Sequence, residues 1–229
     1  MRRISATSFI LLLAFFSARS FASKPSSEDP DGFFSWEPTY STPLGEPDEV
    51  NATISLHEAA AEKEFLILGA SEIDAESICN FIWRHNPDFP KEIAEIYLTL
   101  GDVYGIRGDV AICQAIIETG WFKFADGTAV TLDQNNYCGL GVTRRGVKGA
   151  SFDTIEDGVR AHLQHLYAYA STKKLPNGEP LLDPRFGLVM RGLAHTWHDL
   201  SNRWAMNPNY GNQIADLYNR LVKYSSSTQ

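Results

Sequence analysis

The sequence has few cysteines, a shortage of positive charge and no long apolar run, and each scarcity removes a class of protein. Three cysteines, Cys79, Cys113 and Cys138, are too few for a disulfide-built scaffold. Their spacing does not match a zinc site. An oxidising compartment would allow one disulfide and leave one thiol, in a pairing the sequence does not specify. Small buried hydrophobes are the plainer reading for at least one of them. Lys and Arg number 20 against 28 Asp and Glu, a net charge of −8. Such a chain is poorly suited to holding nucleic acid through phosphate contacts. The run Phe9 to Phe16 (FILLLAFF) is too short to span a bilayer, and no later stretch resembles a transmembrane helix. A phosphate-binding loop, a G-x-S-x-G elbow, a His-Glu-x-x-His motif and a Cys–His pair with supporting context are also missing.

What is present begins with a targeting pattern. Arg2 and Arg3 precede the apolar run, and Ser20-Phe21-Ala22 supplies small residues at two positions a signal peptidase reads. Residues 1–22 therefore read as a cleavable secretion signal, with an uncleaved anchor as the plainer alternative. Its loss removes three arginines and no acid, taking the net charge from −8 to −11. A secreted or periplasmic product without stable membrane insertion follows. Residues 23–55, rich in Pro, Ser, Gly and acids, read as a flexible leader, and 56–229 as one domain.

Within that domain the periodicity is mostly helical. Ser71 with Asp74 resembles a helix start, followed by the stripe Ile78, Phe81 and Ile82. Pro90 opens a second helix, closed by Gly101. A third runs from about Gly108 to Thr119 and stops at Gly120. Residues 121–154 lack helical periodicity and read as loop with a small hairpin. A fourth helix starts near Thr154, Pro176 to Pro184 is loop, and weaker helices are expected over 188–204 and 210–223. The fold class is mainly α, with a small irregular or β-hairpin lobe between the third and fourth helices.

The end of the third helix carries the chemistry. Gln114 and Glu118 lie four apart and share a helical face. Ile116, Ile117, Trp121 and Phe122 surround Glu118 in sequence, and an apolar setting makes a carboxyl costly to ionise. The negative end of the helix dipole pushes the same way. An ordinary solvent-facing Glu fits the periodicity as well.

The run IRGDVAICQAIIETGWFKF, then QNNYCGLG, then SFDTIEDGVRAHLQHLYAYAS, resembles the bacterial glucosaminidase family, glycoside hydrolase family 73. The tail, with DPRF and WAMNPNYGNQI, fits too, so the resemblance covers roughly residues 66–223. It implies a lysozyme-like fold with a substrate cleft, and endo-β-N-acetylglucosaminidase activity on peptidoglycan or a related N-acetylglucosamine-containing glycan. It puts the general acid on Glu118. Asn136, Tyr137 and Gly139 fall on a groove-lining loop, where Cys138 stands in place of the more usual Phe, and Tyr210 falls on a tyrosine facing the cleft. Gln114 and Trp121 join these as substrate-binding candidates, with Trp121, Phe122, Tyr137 and Tyr210 offering sugar-stacking surface. For Trp83, Tyr97 and Tyr167 core packing is preferred. Asp133 is the candidate second acid, ahead of Asp126, Asp153 and Glu156; Glu156 suits the first turn of the fourth helix. The substrate's own N-acetyl group is the alternative. No cofactor or metal is expected.

Three rivals stand beside this reading. A lytic transglycosylase also uses one Glu. A glycan-binding protein without catalysis would keep the fold. A zinc hydrolase would need the pairs His162/His165 and His195/His198 to meet, which nothing in the sequence requires; satisfied or surface histidines explain them more simply.

Overall fold

The computed structural model describes residues 65–125, 128–143 and 147–228. The expected signal and leader, 1–55, lie outside them. Among the described residues, five α-helices carry the architecture: α1 (Ala75–Trp83), α2 (Lys91–Tyr104), α3 (Gly108–Thr119), α4 (Ile155–Ala170) and α5 (Tyr210–Thr228). Pairing among the described residues is limited to isolated bridges, Leu66 with Thr196, Leu68 with Ile106 and Ser201 with Ala205. The fold is thus mainly α, a lysozyme-like helical domain.

The core is organised around α3. Ten of its twelve residues are buried, polar Asp109 and Gln114 among them. A helix apolar on all sides must be surrounded, and α2 and α5 both pack on it. α1 packs on α2 and α5, and α4 on α2. Trp197 is fully buried and its indole donates to the Leu66 carbonyl at 3.0 Å, tying the described N-terminal edge to the 195–200 segment.

Three boundaries differ from the sequence expectation. Asp74 itself caps α1, its carboxylate accepting from the Ser77 amide at 2.8 Å, so the helix starts three residues later than a Ser71 cap requires. α2 runs through Gly101 and ends at Gly105, which is left-handed at φ 63°. Gly101 is there for closeness: a Cβ would stand 2.8 Å from the Ile106 carbonyl oxygen. Over 188–204 no α-helix forms; single 3-10 turns at Phe186–Leu188 and His198–Leu200 take its place.

The lobe between α3 and α4 holds no hairpin among its described residues. Its backbone is fastened by amide side chains instead. Gln134 donates to the carbonyls of Gly149 and Ala150, both at 3.1 Å, Asn135 to Phe152 at 3.0 Å, and Asn136 to Leu140 and Ala150, both at 2.9 Å. The Asn136 side-chain oxygen Oδ1 also accepts from the Leu140 amide at 2.9 Å. The lobe then docks on α4 at Gly158, where a Cβ would stand 1.7 Å from the Asn135 carbonyl oxygen. All three cysteines are buried and free.

Candidate active site

Glu118 sits in the last turn of α3, partly exposed. Beyond it the backbone turns sharply. Gly120 is left-handed, and so are Trp121 (φ 62°), Phe122 (φ 58°) and Phe124 (φ 48°). Bulky residues avoid that region, and strain of this kind collects at functional sites. The turn is held by hydrogen bonds from Thr119 to the Ala115 carbonyl (2.7 Å), from the Phe122 amide to Thr119 (2.9 Å) and from Asn86 to the Trp121 carbonyl (3.0 Å).

Two neutral donors meet one oxygen of Glu118. The Tyr210 hydroxyl, from the first residue of α5, donates to Oε1, and the Trp204 indole donates to the same oxygen at 3.2 Å. Among the described residues no hydrogen bond reaches Oε2 and no cation pairs with the carboxyl. Burial therefore dominates and raises the Glu118 pKa above the ordinary carboxylate value; the two donors pull it down, but by less. Burial first, and then the Glu118 carboxylate when it is charged, push the nearby Cys138 thiol well above its ordinary pKa.

Behind Tyr210 a buried chain of hydrogen bonds crosses the core. Gln114 Nε2 donates to the Tyr210 hydroxyl at 2.9 Å. Gln114 Oε1 lies 3.1 Å from His162 Nε2, and His162 Nδ1 lies 2.7 Å from the Tyr97 hydroxyl. Trp204 is clasped on another side by the rings of His162 (5.6 Å between centroids), His165 (5.0 Å) and Tyr169 (5.9 Å). His165 itself pairs with Asp183 at 2.8 Å.

Of the residues singled out from sequence, Gln114, Glu118 and Tyr210 come together. Gln114 has no exposed surface, and both ends of its amide are engaged within the protein. Asn136 is likewise fully buried and engaged with its own loop, and Tyr137 is 1% exposed among Tyr97, Phe122 and Phe124. All three side chains are closed off within the protein. Phe122 packs on Phe89 at 4.7 Å between centroids. Trp121 is partly exposed and stacks on His85 at 3.7 Å. Gly139, at φ 66°, has open space where a side chain would be. Asp133 is exposed on the lobe's 3-10 turn, and a hydrogen bond from Thr131 leads in holding its pKa below the usual value. Glu156 pairs with Arg160 on α4.

Sequence reasoning missed Trp204, His162 and Tyr97. The His162/His165 spacing was the visible signal for one of them. Trp204, six residues before Tyr210 in the quoted tail, was visible but had no marked role.

A mainly helical, lysozyme-like domain with a carboxyl that meets no cation among the described residues, in the last turn of its central helix, is an arrangement of the kind glycosidases use. The chain belongs to the glucosaminidase family: residues 94–223 match the family model described as mannosyl-glycoprotein endo-beta-N-acetylglucosaminidase. It is also similar to an uncharacterized protein of Borreliella burgdorferi, 31% identical over 167 residues that cover 71% of this chain and 80% of that one. No solved structure matches the chain.

Proposed function

We propose that the protein is a peptidoglycan hydrolase, an endo-β-N-acetylglucosaminidase that cuts the glycan strand after N-acetylglucosamine, with Glu118 as general acid. The observation that carries this is the Glu118 carboxyl: raised pKa, both donors on Oε1, and Oε2 unclaimed. Oε2–H protonates the glycosidic oxygen as the bond to the sugar C1 breaks, and the bonding electrons leave with that oxygen. Tyr210 and Trp204 then hold the new carboxylate by donating to Oε1. Water attacks C1 and completes the hydrolysis.

Asp133, exposed and ionised, is the candidate to take the proton from that water. The substrate's own acetamido oxygen is the alternative acceptor of positive charge at C1. Trp121 and the open face at Gly139 are the candidate sugar contacts. The reaction needs no cofactor, and an extracytoplasmic setting, secreted or periplasmic, fits a wall substrate.

Digestion of purified cell wall with mass spectrometry of the fragments tests this reading. Reducing-end N-acetylglucosamine is the expected product. An anhydro ring on muramic acid would instead identify a lytic transglycosylase, and sedimentation with wall without turnover a binding protein. Asp133→Asn that retains wild-type turnover assigns the second role to the substrate's acetamido group.

A further inference from the structure

The chain Tyr97–His162–Gln114–Tyr210–Glu118 has a direction. Gln114 presents its Nε2 to the Tyr210 oxygen and its Oε1 to His162. An amide oxygen only accepts, so His162 carries its proton on Nε2. Its Nδ1 is then an acceptor, and the Tyr97 hydroxyl donates to it. The Tyr210 oxygen receives the Gln114 N–H, which leaves its own proton for Glu118 Oε1. Every donor in the chain points towards Glu118.

The reverse arrangement is stereochemically open to four of the five groups. The His162 proton could sit on Nδ1, the Gln114 amide could flip, and the Tyr210 proton could turn back to Gln114. Glu118 would then hold its proton on Oε1, aimed at Tyr210 and away from substrate. Tyr97 is what opposes this. It is fully buried, and among the described residues its hydroxyl has hydrogen-bond company only in His162. Reversal would strand its O–H without an acceptor, which is costly in a core. His162 cannot escape by taking a second proton, since burial and then its neighbour His165 push its pKa down to about 3.

We propose that Tyr97 and His162 are positioning residues that set the direction of this chain, so that Tyr210 donates to Oε1 and the acid's proton is left on Oε2. The proposal rests on Glu118 being the acid. The groups facing Glu118 are Tyr210 of α5, Trp204 and the Cys138 thiol, with Asp183 acting on that thiol from farther off. Those facing His162 are Tyr97 of α2, Gln114 of α3, His165 of α4 and Trp204.

The test uses the full chain, with imidazole 15N shifts to read the His162 tautomer and carboxyl 13C shifts to titrate Glu118. Wild type should show neutral His162 with its proton on Nε2. Tyr97→Phe should let that proton move to Nδ1 and raise the Glu118 midpoint by about one pH unit, the scale of one hydrogen bond to a charged group. On wall, its kcat should fall on the order of tenfold, within what general acid catalysis contributes, at unchanged KM. The alkaline limb of its pH profile should move up with Glu118. His162→Gln keeps an N–H donor near the Nε2 position and should restore most of the titration and rate that His162→Phe loses. An Nδ1–H tautomer in wild type, or a Glu118 titration unmoved by both Tyr97→Phe and His162→Phe, overturns the proposal. If wild type cuts no wall, the hydrolase reading fails, while tautomer and titration still decide the direction of the chain.

Discussion

The two ends of α3 hold carboxyl groups in opposite settings, one fully buried and one partly exposed. Asp109, in the first turn, is fully buried and met by donors on both oxygens: Arg107 at 2.9 Å, the Glu72 amide at 2.8 Å, the Val110 amide at 3.0 Å and the Tyr218 hydroxyl at 3.2 Å. A cation contacts it directly, and it lies at the positive end of the helix dipole. Glu118, in the last turn, has two neutral donors on one oxygen and lies at the negative end. A tyrosine of α5 reaches each carboxyl, Tyr218 to Asp109 and Tyr210 to Glu118. Nine residues of α3 and eight of α5 span about 13 and 12 Å respectively, so the two contacts register the helices antiparallel. One acid is tied to a cation and several donors that hold the fold; the other, which we propose as the proton donor, is left with neutral partners on a single oxygen.

Removing each acid should therefore damage different properties. Glu118→Gln keeps the shape and removes the proton, and should cut wall hydrolysis by about 10²–10⁴-fold with an unchanged circular dichroism spectrum. Full activity in that variant would sink the assignment. Asp109→Ala leaves Arg107 largely buried with only the half-exposed Glu72 as ionic partner. It should cost about 3 kcal/mol in urea unfolding, at the low end for breaking a buried pair, while folded protein keeps its kcat. A loss of kcat with stability intact would erase the contrast between the two ends.

Tyr210→Phe sharpens the contrast. It takes one donor from Oε1 and leaves burial unopposed except by Trp204. The Glu118 pKa should rise further and the alkaline limb of the wall-digestion profile should move to higher pH. Tyr218→Phe, at the other end, should leave that limb where it is.

The helical frame was legible because caps and apolar stripes are local. Asp74, Pro90, Gly120 and Thr154 all sit at or next to a helix end, as their residue types predict. The lobe was less legible. Gln134, Asn135 and Asn136 hold it through side-chain bonds to backbone 4 to 17 residues away, a pattern with no periodic trace. At the site, the Gln114–Glu118 spacing was readable as one helical face, and Tyr210 came through resemblance. Tyr97 read as core, which its burial matches, but its hydroxyl meets His162 across 65 residues. Nothing in the local sequence joins those two, nor Trp204 to Glu118 across 86.

The smallest expected effect has the least intuitive sign. Glu118 has a folded pKa raised above its ordinary 4.5. Between that value and the folded one, the native state binds more protons than the unfolded state, so stability falls as pH rises through the window. Wild type thus carries a cost at neutral pH that a neutral side chain does not. Glu118→Gln, inactive on wall, should unfold at a higher temperature than wild type at pH 7. The gap should shrink as pH falls and close below about 4.5, where glutamic acid is protonated in both states. Asp109→Asn should show no such gain at pH 7, because its partner Arg107 loses a counter-charge. A Glu118→Gln gap that instead widened on acidification would mean the carboxyl is held as an anion in the native state, and the donors on Oε1 would then outweigh burial.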